Sequence, residues 1–97
     1  MLTFNLKKQW FDKIKSGEKT HEYRECKPYW KKRIYSKNLI HDFKVCFCCG
    51  YPKKDDTTRK LYGTILGVYY RKDGKNTDLK TAKPVIDIHF ELDKEEQ

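Results

Sequence analysis

No run of apolar residues in this sequence is long enough to cross a bilayer as a helix, and its first residues lack the basic-then-apolar pattern of a secretion signal. Membrane insertion is therefore not expected, and a soluble, cytoplasmic protein is. The four cysteines are poorly spaced for cross-linking: Cys26 stands apart, while Cys46, Cys48 and Cys49 crowd together. That crowding is a poor disulfide framework and fits reduced thiols in a cytosol. Structural zinc is disfavoured for a related reason. Such sites use two well-separated ligand pairs on turns, so Cys26 or His41 would have to complete a set across space. No metal and no cofactor are expected. Repeats, low-complexity tracts and linkers are also missing, and 97 residues are too few to bury a second core. A single domain over residues 1–97 follows.

What the chain does have is cationic charge and aromatic rings. Its 22 Lys and Arg outnumber 14 Asp and Glu, for a net charge of +8. Such an excess favours a polyanionic partner, because lysine and arginine gain affinity by releasing counterions from phosphates. The hydrophobic fraction is only 37%, but seven Tyr, five Phe and two Trp supply large contact areas per residue. A small, aromatic-rich core and an RNA or nucleotide partner are the resulting expectations.

The patterning along the chain predicts strand, helix, strand, helix and then three strands. "LTFNL" alternates Leu2, Phe4 and Leu6. "KKQWFDKIKSG" sets Trp10, Phe11 and Ile14 at helical spacing, with Gly17 as a stop. "THEYREC" reads as a strand with Thr20, Glu22, Arg24 and Cys26 on one face and His21, Tyr23 and Glu25 on the other. "PYWKKRIYSK" opens on Pro28 and carries Trp30 and Ile34 one helical turn apart. "FKVCFCC" predicts a strand with Phe43, Val45 and Phe47 inward. "RKLYGTILGVYY" predicts a long strand that Gly63 and Gly67 allow to bend or bulge. A polar connection over 75–84, with room for a helical turn, leads to "VIDIHFEL", whose Ile86, Ile88, Phe90 and Leu92 share a face. The final "DKEEQ" is expected to fray. Five strands with bends and few residues suggest a mainly β, α+β fold: a small, partly closed barrel of about five to six strands with two main helices at its rim.

One stretch stands out chemically. "SGEKTHEYR" follows the first helix and is itself followed by "KPYW"; it carries Gly17, Lys19, Glu22 and Arg24. In this helix–strand context the pattern resembles the core motif of the ASCH domain family, a branch of the PUA-like barrels, and the similarity extends over nearly the whole chain. The resemblance implies a PUA-like β-barrel with a cleft between barrel and helices that binds RNA. It also implies routes to catalysis in some branches. One hydrolyses the amide of an acylated cytidine, and another cleaves single-stranded RNA. In the amidohydrolase branch the lysine matching Lys19 acts near the nucleophile. A threonine stands there where this chain has Glu22, so the matching hydroxyl nucleophile is missing.

The residues themselves support a ligand site without specifying turnover. Lys19, Thr20, Glu22 and Arg24 are the candidate ligand-binding group. A carboxylate between two cations stays ionised, leaving net positive charge and a ready acceptor. Arg24 suits a phosphate or the face of a base, and Glu22 an exocyclic amine. In an enzyme, a desolvated Lys19 is the candidate base and Glu22 its partner. The alternative is structural: Glu22 and Arg24 as a buried ion pair that pins the strand. Tyr29, Lys32 and Arg33 on the second helix, with Lys53 and Lys54 in the loop after the third strand, form a candidate nucleic-acid rim. The same helix face reads equally well as merely solvated.

Overall fold

The computed structural model describes residues 1–35 and 43–94. His41, Ser36 and Lys37 lie outside the described residues, as do the last three residues of the tail. The elements run β1 (Leu2–Leu6), α1 (Lys8–Lys15), β2 (His21–Glu25), α2 (Pro28–Tyr35), β3 (Lys44–Cys49), a 3-10 turn (Thr57–Arg59), β4 (Lys60–Arg71) and β5 (Val85–Leu92). The five strands and two main helices expected from the patterning are present in the expected order. They build one sheet in the order β1-β3-β4-β5-β2, curled into a half-barrel with β1 and β2 as its edges. β1 and β3 run parallel; the other neighbours are antiparallel.

β4 makes the curl. Its first residues pair with β3 and its later ones with β5, so one long strand serves both halves of the sheet. Register slips between Ile65 and Gly67, where the sequence suggested a bulge. Before the slip the inward residues are Leu61, Gly63 and Ile65; after it Val68 takes the inward side, with Tyr70 on the same face but 63% exposed, while Gly67, Tyr69 and Arg71 lie on the outer face. Gly63 is required for a simpler reason. A Cβ there would stand 2.7 Å from the Glu91 carbonyl oxygen on β5, and a backbone atom cannot step aside cheaply.

Inside the curl, Leu2, Phe4 and Leu6 meet Val45 and Phe47, then Ile65, then Ile86, Ile88 and Phe90. α1 closes one side with Phe11 and Ile14, and α2 another with Ile34. Phe47 lies at the centre, 4.5 Å from Phe90 and 6.0 Å from Phe4 between ring centroids. Phe43 departs from expectation and is 48% exposed. β1 begins opposite Val45 with Leu2, so no β1 residue remains to cover Phe43. The connection over 75–84 contains tight turns and no helical one. Thr77 organises it by donating to the Gly74 carbonyl and accepting from the Leu79 amide, and a bridge joins Gly74 to Thr81.

All four cysteines are free thiols. Among the described residues no group of three His, Cys, Asp or Glu side chains could hold a metal ion, and no helix is long and apolar enough to cross a membrane. Cys46 and Cys48 share the outer face of β3 with sulfurs 3.8 Å apart. Burial, then the neighbouring Cys48, pushes the Cys46 thiol up to about 11.

Two predictions follow from this packing. Gly63→Ala is expected to lower folding stability by about 1–3 kcal/mol in urea denaturation, through overpacking against Glu91. Iodoacetamide at pH 8 is expected to alkylate half-buried Cys26 and Cys49 well before Cys46, because the thiolate is the nucleophile. Peptide mass mapping over a time course checks it, and equal rates would contradict the burial described.

Candidate functional site

The end of α1 sets the first residue of the site. Gly17 adopts φ +86°, a left-handed conformation that a side chain would strain, and the chain reverses there. The Lys19 amide then donates back to the Lys13 carbonyl at 3.0 Å. This turn sends the Lys19 side chain inward, where it is 7% exposed. Its Nζ lies 3.3 Å from Glu22 Oε1 and donates to Asp78 Oδ2. It also sits 5.0 Å from the centre of the Tyr23 ring and 5.5 Å from Trp10. A lysine cation is thus held between two aromatic faces and two carboxylates.

Glu22 is the hub of this cluster. It projects from β2 toward the interior and is only 5% exposed. Arg24, two residues along the same face, brings Nη1 to 2.9 Å from Glu22 Oε2. Nη1 also donates to the Tyr23 carbonyl at 2.8 Å. Oε2 is therefore charge-paired, yet no hydrogen-bond donor among the described residues is aligned on it. The Arg24 guanidinium lies over Phe4 at 4.6 Å and Trp30 at 5.1 Å, so its far side packs on the core.

Two adjoining hollows open beside this cluster. One, of about 300 Å³, is lined by Trp10, Lys13, Glu18, Lys19, Thr20, His21, Tyr23 and Asp78. The other, of about 200 Å³, lies between the β1 and β2 edges and is lined by Asn5, Leu6, Lys7, Trp10, Glu22, Tyr23, Arg24, Asp78 and Leu79. Trp10, Tyr23 and Asp78 are common to both, so the hollows form one cleft with a shared wall. Burial, and next the charge of Asp87, pushes the Tyr23 hydroxyl above its ordinary range, which keeps it a hydrogen-bond donor.

The structure brings Lys19, Glu22 and Arg24 together and leaves Thr20 exposed at the cleft's edge, its carbonyl accepting from the Phe90 amide. The expected net positive charge of the cluster is not found. Asp78 adds a second carboxylate, so Lys19 and Arg24 are matched by Glu22 and Asp78. Asp78 comes from the 75–84 connection, far away in sequence and without periodicity, and nothing local marked it. Trp10, placed by helical spacing, lies half-buried in the cleft wall. Asp87 was hidden for a different reason. It occupies an outward position in an alternating strand, yet it is 1% exposed, with Oδ1 2.7 Å from His21 Nδ1 and Oδ2 accepting from Arg71 Nε at 2.8 Å. Tyr29, Lys32, Arg33, Lys53 and Lys54 are exposed, and none lines the cleft. Tyr29 packs edge-on against Trp30, and the Arg33 guanidinium lies 5.3 Å from the Tyr29 ring.

No protein-family model matches this chain, and no curated protein or solved structure matches it either.

The cluster predicts an ordered set of stability losses. Arg24→Ala leaves an enclosed carboxylate with one cation and is expected to cost about 3–5 kcal/mol. Asp78→Ala removes a carboxylate that is 32% exposed, and Lys19 keeps Glu22, so about 1 kcal/mol or less is expected. Urea denaturation of the two variants checks the order; a larger loss for Asp78→Ala would reverse the assignment of Glu22 as hub.

Proposed function

We propose that this chain is a small ASCH-type RNA-binding module that holds a nucleotide, or one unit of a single strand, in the cleft beside Lys19, Glu22 and Arg24. The observation that carries this reading is the lining of the cleft: aromatic rings of Trp10, Tyr23 and His21 stand beside Lys13 and Lys19 in a space of nucleotide size. Bases stack on rings of any sequence, and phosphates seek cations. In this reading the Glu22 carboxylate, which lines the inner hollow of the cleft, accepts from an exocyclic amine. Arg24 closes the floor there and holds Glu22 in place, while Thr20 stands at the mouth. In this reading Lys19 orients the carboxylates and offers its charge to the ligand.

The exposed Lys32 and Arg33, with Lys53 and Lys54, supply attraction at longer range. Affinity for a mixed-sequence RNA octamer is expected to fall steeply as salt rises. Lys32→Glu combined with Arg33→Glu is expected to flatten that slope by about 2 in log–log terms. Fluorescence anisotropy across a salt series measures it, and a slope indifferent to salt would remove the rim from the reading.

Lys19→Ala tests the cleft itself. A binding module loses about tenfold in affinity for ribonucleotides, and mass spectrometry finds the RNA intact. If the unmodified protein instead consumes RNA or an acylated cytidine, and Lys19→Ala loses turnover far more than affinity, a hydrolase with Lys19 as base and Glu22 as partner replaces the module. Selective binding of acidic proteins with weak, unselective RNA affinity would point to a protein-interaction domain.

A further inference from the structure

The outer face of β4, β5 and β2 carries a polar arrangement that the core does not require and that reaches the cleft only through His21. Asp87 is enclosed on this face, and its two oxygens are taken by His21 and by Arg71. Enclosing a carboxylate carries a desolvation cost that apolar packing at the same position would avoid. What the arrangement provides is orientation. His21 Nδ1 donates to Oδ1, which fixes the imidazole, and Arg71 is bound through Nε while its side chain remains 49% exposed.

Rings lie beside these two side chains. His21 stacks on His89 across the strand pair, with centroids 4.4 Å apart and planes 9° apart. On the next strand the position opposite His89 is Gly67. The Tyr69 side chain fills that space. A Cβ on Gly67 would meet the Tyr69 hydroxyl oxygen at 2.5 Å and two ring carbons at 2.8 and 2.9 Å, so the ring lies across the glycine while Tyr69 remains 53% exposed. The β4 bulge is what turns Tyr69 and Arg71 onto this face.

We infer that this outer face is a second contact for single-stranded RNA, taking a base on the Tyr69 and His89 rings and a phosphate on Arg71 as the strand leaves the cleft. The inference rests on the RNA-binding reading of the cleft. The two surfaces are continuous through His21, which lines the cleft and also stands on the outer face. An exposed tyrosine ring and a half-buried imidazole beside an oriented guanidinium match alternating bases and phosphates better than they match an acidic protein surface, which offers no planar groups in series.

Ligand length tests it. Affinities for ribonucleoside monophosphates, by calorimetry, and for a mixed-sequence RNA octamer, by anisotropy, are measured on the unmodified protein, Tyr69→Ala and Arg71→Ala. Each substitution is expected to weaken the octamer about tenfold and leave the monophosphates unchanged. Tyr69→Ala lies outside the Asp87 pairs, so it keeps the test open if Arg71→Ala unfolds the protein; circular dichroism melts report that. Equal losses for both ligands would trace the effect to the cleft and overturn the inference. So would no loss for either, or polyglutamate competing as well as the octamer. An octamer that binds the unmodified protein no more tightly than a monophosphate removes the outer contact and leaves the cleft reading standing. If neither ligand binds at all, the cleft reading fails and the second contact fails with it.

Discussion

The enclosed carboxylate of Glu22 is the constraint from which the arrangement around β2 follows. A charge taken so far from water must be matched at close range, and the exposed edge of a sheet offers no backbone charge to do it. Lys19 and Arg24 supply the match from either side, and each brings its own requirement. Lys19 reaches Glu22 only because α1 ends at a left-handed Gly17 and the chain turns back on itself. Its charge in turn draws Asp78, and with it the whole 75–84 connection, round the β2 edge. Arg24 requires a flat apolar floor, which Phe4 and Trp30 provide. The cleft is the space left between these commitments.

The elements of the fold were legible because each rests on local pattern. Strand alternation in "LTFNL" and "VIDIHFEL", helical spacing of Trp10, Phe11 and Ile14, and glycines at the bend of β4 act within a few residues, and the structure follows them. Where pattern misled, a tertiary fact intervened. Phe43 has inward parity but lies beyond the first residue of β1, so no β1 residue covers it. The site was half legible. Lys19, Glu22 and Arg24 are neighbours in sequence and remain neighbours in space. Asp78 and Asp87 depend on loop path and strand register, which spacing within a single sequence does not encode. An aspartate flanked by isoleucines looks solvent-facing until His21 and Arg71 are known to lie beside it.

The bulge in β4 connects these two outcomes. If Leu66 were paired in regular register and not bulged, the inward parity of Leu61, Gly63 and Ile65 would continue through Gly67, Tyr69 and Arg71. A tyrosine and an arginine would then point into the barrel, and Asp87 would lose the cation on its second oxygen. The bulge therefore keeps Val68 in contact with the core and frees Tyr69 and Arg71 for the other face. Two buried carboxylates, Glu22 inside and Asp87 outside, end up on opposite faces of the same two strands. Tyr23 on the edge strand stands between them, its ring against Lys19 and its hydroxyl within the field of Asp87.

Under the proposed RNA-binding reading, this arrangement separates attraction from selection. The cluster in the cleft is balanced, with Lys19 and Arg24 against Glu22 and Asp78, so the net charge of +8 resides on other side chains. Exposed lysines give long-range attraction that is indifferent to sequence and weakened by salt. The cleft contributes little net charge, and what it offers a ligand is ring faces, a held ammonium and the carboxylate lining its inner hollow. Those groups act over hydrogen-bond and stacking distances and distinguish one base from another by its edge. In an RNA-binding module built this way, surface charge sets how readily the polymer arrives, and the geometry fixed by Glu22 sets which unit of it stays.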